Sequence, residues 1–394
     1  MDQVLGGIRV LDFGRFIAAP WCSAILGDMG ADVIRVEKRE GGEDRWVQPV
    51  ATTGEGATFL QCNRNKKSMT LDSTTPEGLE ITRRLVATAD IVIANMPDAA
   101  MKANGLDYED LRAIKPDIIL ARATAYGTGG PYSDHVGFDG IGQVMSGGVY
   151  RSGTPEQPMR SVVPYVDFAT AMNLAIGTMM ALYHRRETGK GQLVESALLP
   201  SALAMTNAMV IDQALMQSNR KAVGNRGSAA GPCDLYRVED GWLLMQVAGQ
   251  PMFKRWCRMI GEEAWFTDPR FANDDLRAAN GDILNDRMQA WCEGKTRTEV
   301  MAALGAARVP AGPLYSPQDV LEDPHVEAMH FLQPMEFPGT SRPAPVIETP
   351  FRMSETPGTI RSRAPLLGEH TDEVMTTLGY DAAGIADLRA RAVI

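Results

Sequence analysis

The sequence predicts an α/β protein on a doubly wound parallel sheet, and three features lead there. Short β-branched runs alternate with helical stretches through the first 200 residues. The runs are short and rich in Val, Ile and Leu, as in strands buried in a parallel sheet. The chain's 394 residues exceed one ordinary core, and its pattern changes after residue 200, so two domains are expected.

In order, IRVLDF (8–13) is a first strand and GRFIAAP (14–20) a loop, with Pro20 suited to the first helical position. WCSAILGDMG follows as a short helix, ADVIRVEK (31–38) as a second strand and KSMTLDS as a third. TTPEGLEITRRLVATA is a helix opened by Thr75, Pro76 and Glu77. DIVIANM (90–96) and PDIILARATAYG (116–127) are further buried strands. Beyond residue 200, a helix runs into the linker SNRKAVGNRGSAAG, and DLYRVEDGWLLMQV is a hairpin turning at Asp240-Gly241. Mostly helical sequence continues to about residue 320. EFPGTSRPAPVIETPFRMS is Pro-rich and extended, and HTDEVMTTLGYDAAGIADLRARAVI is helical again.

A net charge of −10 and a pI near 5.2 argue against nucleic acid or an anionic membrane as partner. The 44% hydrophobic and 22% charged residues are those of a soluble globular protein. Five scattered cysteines without C-x-x-C read as reduced thiols, and the five histidines show no metal-ligand spacing. No basic n-region with an apolar h-region opens the chain, and a cytoplasmic location is expected.

The turn after the first strand holds one glycine, so the G-x-G-x-x-G fingerprint is absent, as are the G-x-x-x-x-G-K-[ST], H-E-x-x-H and G-x-S-x-G motifs. A doubly wound sheet still binds its ligand beyond the carboxyl ends of its strands. That rim is expected to carry Arg15, Phe16 and Ile17, Lys38 and Arg39, and Asn95 and Met96, with Arg64 to Lys67 leading into the third strand. Basic and apolar residues together suit a nucleotide with several phosphates and a flat base; a solvated charged rim is the competing reading. Asp167 stands before an apolar helix (168–183) that His184-Arg185-Arg186 and Gly189 close. By itself it reads as an N-cap. A half-desolvated carboxylate there is also able to attack an acyl group.

GIRVLDFGRFIAAPWCSAILGDMGADVIRVEKREGGED, NRNKKSMTLD, TPEGLEI, DIVIANM, GFDGIGQVMSGG, ETGKGQLVESAL and RAPLLGEHTDEVMTTLGY stand in an order that resembles the class III coenzyme A transferases, over nearly the whole chain. The resemblance implies a large domain from both chain ends (1–200 and 330–394), a small inserted α+β domain (231–320), linkers at 201–230 and 321–350, and an interlocked homodimer. It implies Asp167 as nucleophile, acyl-CoA and a small carboxylic acid as substrates, and no tightly bound cofactor or metal. Coenzyme A would lie along Phe16, Ile17 and Ala18, Lys38, Leu71 to Thr74, Asn95, Met96 and Pro97, and Val136, Gly137, Phe138 and Asp139. Ala103 stands where relatives often carry a phosphate-binding arginine, with Lys102 beside it to substitute. GNRGSAAG (224–231) takes the place of a shielding glycine-rich loop. The 2-methylacyl-CoA racemases resemble the chain too, but their G-H-D histidine corresponds to Phe138, which has no proton to exchange.

Overall fold

A computed structural model of the protein describes residues 3–394. Six strands, β1 (Arg9–Asp12), β2 (Asp32–Glu37), β3 (Lys66–Thr70), β4 (Ile91–Ala94), β5 (Ile119–Thr124) and β6 (Leu193–Ala197), form a parallel sheet in the order β3-β2-β1-β4-β5-β6. The order reverses between β1 and β4, where such a sheet opens its ligand crevice. Alternate residues serve opposite faces: Val10, Val33 and Ile91 join one core, and Leu11, Ile34 and Val92 the other. Both faces are covered, which explains why Val, Ile and Leu stand side by side in these strands rather than alternating with polar residues. β6 lies at the sheet edge with Leu193 exposed, and only Leu193 and Val194 precede Glu195. That pattern is too short to read as a strand.

Helix Ala18–Asp28 packs on the first face with Tyr165–Thr188. It starts two residues before Pro20, which still lies in the first turn, where its missing N–H is not needed. Helix Pro76–Thr88 covers the second face, and Thr75 caps it by accepting the Gly78 N–H at 3.0 Å. The chain's last segment completes that face. Helices Thr371–Thr377 and Ala382–Ala390 supply Val374, Met375, Ile385 and Leu388, and Val393 and Ile394 are buried beside them. The Asp72 N–H donates to the Val393 carbonyl at 2.8 Å.

The long helix spans 24 residues, Tyr165–Thr188, and ends at Gly189 with φ 71°. By length and composition it could cross a membrane. Its buried Ala171, Leu174 and Ala181 instead pack in the core of this unit.

The segment Arg64 to Lys66 departs from the expected ligand rim. It enters β3 at the opposite end of the sheet and is buried. Arg64 pairs with Asp28 at 2.6 Å and lies over the Trp21 ring. Lys66 Nζ donates to Asp12 at 2.8 Å, to the Pro20 carbonyl at 2.8 Å and to Asn63 at 2.9 Å. A second buried group joins Arg35 to Asp44 and Glu37, and Arg45 to Glu37. Burial opposes ionisation of Glu37, but Arg35 and Arg45 hold its carboxyl down to about 2.

The chain divides into two units: Met1–Ser146, Ser161–Val210 and Ala328–Ile394 form one, Gly147–Arg160 and Ile211–Glu327 the other. The expected linker 201–230 therefore opens inside a helix, Leu198–Met216. The expected linker at 321–350 carries β10 (Leu332–Met335) paired with β11 (Ala344–Ile347). In the second unit, β7 (Cys233–Val238), β8 (Gly241–Gln246) and β9 (Ala311–Pro313) form an antiparallel sheet. Val238 faces Gly241, so the hairpin turns on Glu239-Asp240, one residue earlier than the sequence suggests. Helices pack on it around Tyr236, Leu243, Phe253 and Trp256.

Lys66→Met would leave the Asp12 carboxylate buried without its cation. The expected cost is about 3–5 kcal/mol, read as a lower urea midpoint at unchanged slope; a loss below about 1 kcal/mol would show the pair to be dispensable.

Candidate active site

Asp167 lies in the first turn of Tyr165–Thr188 and is not its cap. Pro164 holds the cap position and has no side-chain acceptor. The cap comes from elsewhere in the sequence: the buried Asp139 carboxylate accepts the N–H groups of Val166 at 2.7 Å and Asp167 at 3.1 Å. Gln143 donates to the other Asp139 oxygen. Asp139 itself opens helix Asp139–Met145, which approaches the long helix closely. A Cβ on Gly142 would come within 2.8 Å of Val166, so only glycine fits there.

With its first-turn N–H groups already satisfied, Asp167 does not need its own carboxylate for capping. Among the described residues no Lys or Arg pairs with it. Its carboxyl is pushed up to about 7, first by burial and then by the Asp139 charge, with the Asp139 backbone N–H pulling partly the other way. Phe168 packs edge-on against Trp21 at 5.3 Å, fixing this turn to helix Ala18–Asp28.

A cleft of about 250 Å³ opens at the carboxyl ends of β1 to β4. Arg15, Lys38, Leu71, Thr74 and Met96 line it, as the sequence leads one to expect. Asn104 lines it too. Lys102 lies in a separate depression with Asp98, Tyr108 and Arg122. So Asn104, not Lys102, faces the place where Arg15 and Lys38 converge. Arg39 is exposed, and Pro97 stands at the N-cap of helix Asp98–Ala103.

Asn95 has a positioning role. Its amide accepts the Arg15 N–H and donates to the Arg15 carbonyl, both at 2.8 Å. This clamp holds the turn in which Phe16 adopts φ 63°, a left-handed conformation costly for an aromatic residue. The turn buries Ile17 and Ala18 and sets the Phe16 ring edge-on to Phe138 at 5.4 Å. A continuous run of contacts thus leads from the cationic cleft through Phe16 and Phe138 to Asp139 and Asp167. Gly137 lets this loop approach, since a Cβ would meet Ala125 at 2.9 Å; Val136 is exposed. His135 stacks on Tyr132 at 5.3 Å in an aromatic cluster with Tyr126, and Phe138 directly precedes the capping Asp139.

Sequence reasoning missed the capping role of Asp139 and the place of Asn104. The signal for the first was Asp139 at the start of an apolar helix with Gln143 one turn on. For Asn104 the side chain alone gave none.

The raised carboxyl has a stability consequence of definite sign. Between its ordinary 3.8 and about 7, folded Asp167 keeps a proton that the unfolded chain releases. Stability from this group therefore falls as pH rises through that window. Asp167→Asn should gain on the parent progressively from pH ~4 to ~7 and level off above. Urea unfolding across that range checks it; a difference that does not grow would show that Asp167 ionises freely.

The model of CoA-transferase family III matches residues 5–371. The succinyl-CoA–L-malate CoA-transferase beta subunit of Chloroflexus aurantiacus is 34% identical over 99% of this chain and 98% of its own length. The succinate–glutarate CoA-transferase of Agrobacterium fabrum is 34% identical over 95% of each chain. In structure, a CAIB/BAIF family protein from Brucella suis superposes with a TM-score of 0.85 at 32% identity, covering 96% of this chain and 100% of that one. With the fold, the cleft and the carboxylate in place, these likenesses identify the chain as a CoA-transferase that belongs to family III.

Proposed function

We propose that the protein moves coenzyme A from succinyl-CoA or another short acyl-CoA to a small dicarboxylic acid, with Asp167 as the covalent carrier. The observation that carries this reading is the Asp167 carboxyl. It sits unpaired by any cation on a helix turn that Asp139 caps, and it is connected through Phe16 and Phe138 to a cationic cleft. The malate and glutarate named for the relatives support the dicarboxylic acceptor.

In the first step an Asp167 oxygen attacks the acyl-CoA carbonyl, the C–S bond breaks, and a mixed anhydride and a thiolate result. The thiolate attacks the aspartyl carbonyl, releasing the donor acid and leaving an aspartyl-CoA thioester. The acceptor carboxylate attacks that carbonyl, forming a second anhydride and expelling the thiolate. Thiolate attack on the acceptor's acyl carbon gives the new thioester and restores Asp167. One activated acyl group replaces another, so no ATP is consumed. A carboxyl with a pKa near 7 is more basic than an ordinary one, and hence a stronger nucleophile once ionised. The Asp139 backbone N–H beside it is suited to hold the developing oxyanion.

The racemase reading finds no comparable support, because Phe138 supplies no second base. A cytoplasmic homodimer completes the proposal. Met172, Ile176, Met180 and Tyr183 recur one turn apart on the long helix and are exposed, a stripe suited to a second copy.

Asp167→Ala is expected to lower transfer by at least ~10⁴-fold with circular dichroism unchanged. Incubation of the parent enzyme with succinyl-CoA and hydroxylamine should leave a hydroxamate on Asp167, seen by mass spectrometry. Surviving activity, or an adduct at another residue, would remove Asp167 from the role. Ile176→Glu with Met180→Glu should shift the sedimentation mass from dimer to monomer; an unchanged mass would place the subunit contact elsewhere.

A further inference from the structure

The two exposed cations of the cleft are not idle. Arg15 Nη1 donates to Glu43 at 2.9 Å, and Lys38 Nζ donates to the other Glu43 oxygen at 2.7 Å. One carboxylate therefore bridges the guanidinium after β1 and the ammonium after β2, at the cleft they line. All three side chains are exposed by 40% or more: 40% for Arg15, 42% for Lys38 and 56% for Glu43.

The backbone around Glu43 is anchored by buried neighbours, while its side chain is exposed. Gly42 precedes it at a point where a Cβ would lie 2.3 Å from Asp44. Asp44 is buried against Arg35 at 2.8 and 3.0 Å, and Arg45 is buried against Glu37 at 2.7 Å. Glu43 thus projects from a rigid turn, anchored on its far side by buried ion pairs, and only its own rotamer must change to let go. Its carboxyl stays ionised, held down to about 2 chiefly by the Lys38 hydrogen bond.

We propose that Glu43 is an internal counterion for the cleft: it holds Arg15 and Lys38 side by side, and a ligand phosphate must displace it to reach them. Glu43 then sets how tightly the cleft takes the phosphate-bearing end of coenzyme A, an inference that rests on the coenzyme A reading above. Each exposed ion pair is individually weak, so displacement is easy, but two of them together subtract measurably from affinity. The same carboxylate discriminates. A ligand carrying a phosphate dianion, able to satisfy both cations at once, replaces it; a neutral or singly charged group gains less than it displaces.

The test is calorimetric titration of coenzyme A into the parent protein, Glu43→Gln, Glu43→Ala and the control Glu40→Gln, which removes the same charge from an exposed position nearby. Both Glu43 variants should bind coenzyme A roughly three- to tenfold more tightly at low ionic strength, with the gain shrinking in high salt. Glu40→Gln should give less than half of that gain. Equal or weaker binding by the Glu43 variants overturns the proposal, and so does an equal gain in Glu40→Gln, which would make the effect one of net charge alone. A parent protein that binds no coenzyme A would instead sink the reading on which the proposal rests.

Discussion

The site depends on the Asp139 carboxylate, which is spent on backbone N–H groups of another helix. Asp139 accepts the first N–H groups of the long helix, and by doing so it releases Asp167 from the task that an acid at that position usually performs. Burial raises the Asp167 pKa first, and the same carboxylate, a like charge beside it, raises it further. Capping and tuning therefore come from one side chain. Gly142 is the steric condition for both, since any larger residue would push the two helices apart.

The charges around β1 to β3 fall into two sets. In and beside β1 to β3 the charges are buried in ion pairs: Lys66 on Asp12, Arg64 on Asp28, and Arg35 and Arg45 on Glu37. Buried pairs of this kind add little net stability over apolar packing, but they tolerate no loss of a single partner. They also set geometry. Asp12, held by Lys66, accepts the Gly14 N–H at 2.8 Å and so shapes the turn that carries Arg15. Above the strand ends the charges are exposed and exchangeable. Rigid pairs position mobile ones.

Much of this was legible in the sequence, and the failures share a cause. The central strands announce themselves because both faces are covered and Val, Ile and Leu follow one another at their centres. The helix with Thr75-Pro76 announces itself through its cap. The edge strand β6 does not, since two apolar residues before Glu195 carry no period. Arg15, Lys38 and Met96 could be placed together because sheet topology brings strand ends to one rim, and Leu71 and Thr74 joined them through the family resemblance. Arg64 and Lys66 could not, because a basic residue in sequence looks the same whether it faces solvent or a buried aspartate. Asp167 was found, yet its relation to the helix was misread. The acid that caps the turn is 28 residues away, and no local pattern reveals a partner so distant.

The last two dozen residues close the second face of the sheet, with Val393 and Ile394 seated among Leu11, Ile34 and Val92. During synthesis, β1 and β2 emerge first, yet one side of them stays bare until residues 371–394 follow. Between those events the whole second unit is made. The nascent sheet must therefore keep an unsealed apolar surface through most of translation, so aggregation at that stage is the hazard this arrangement of the chain creates.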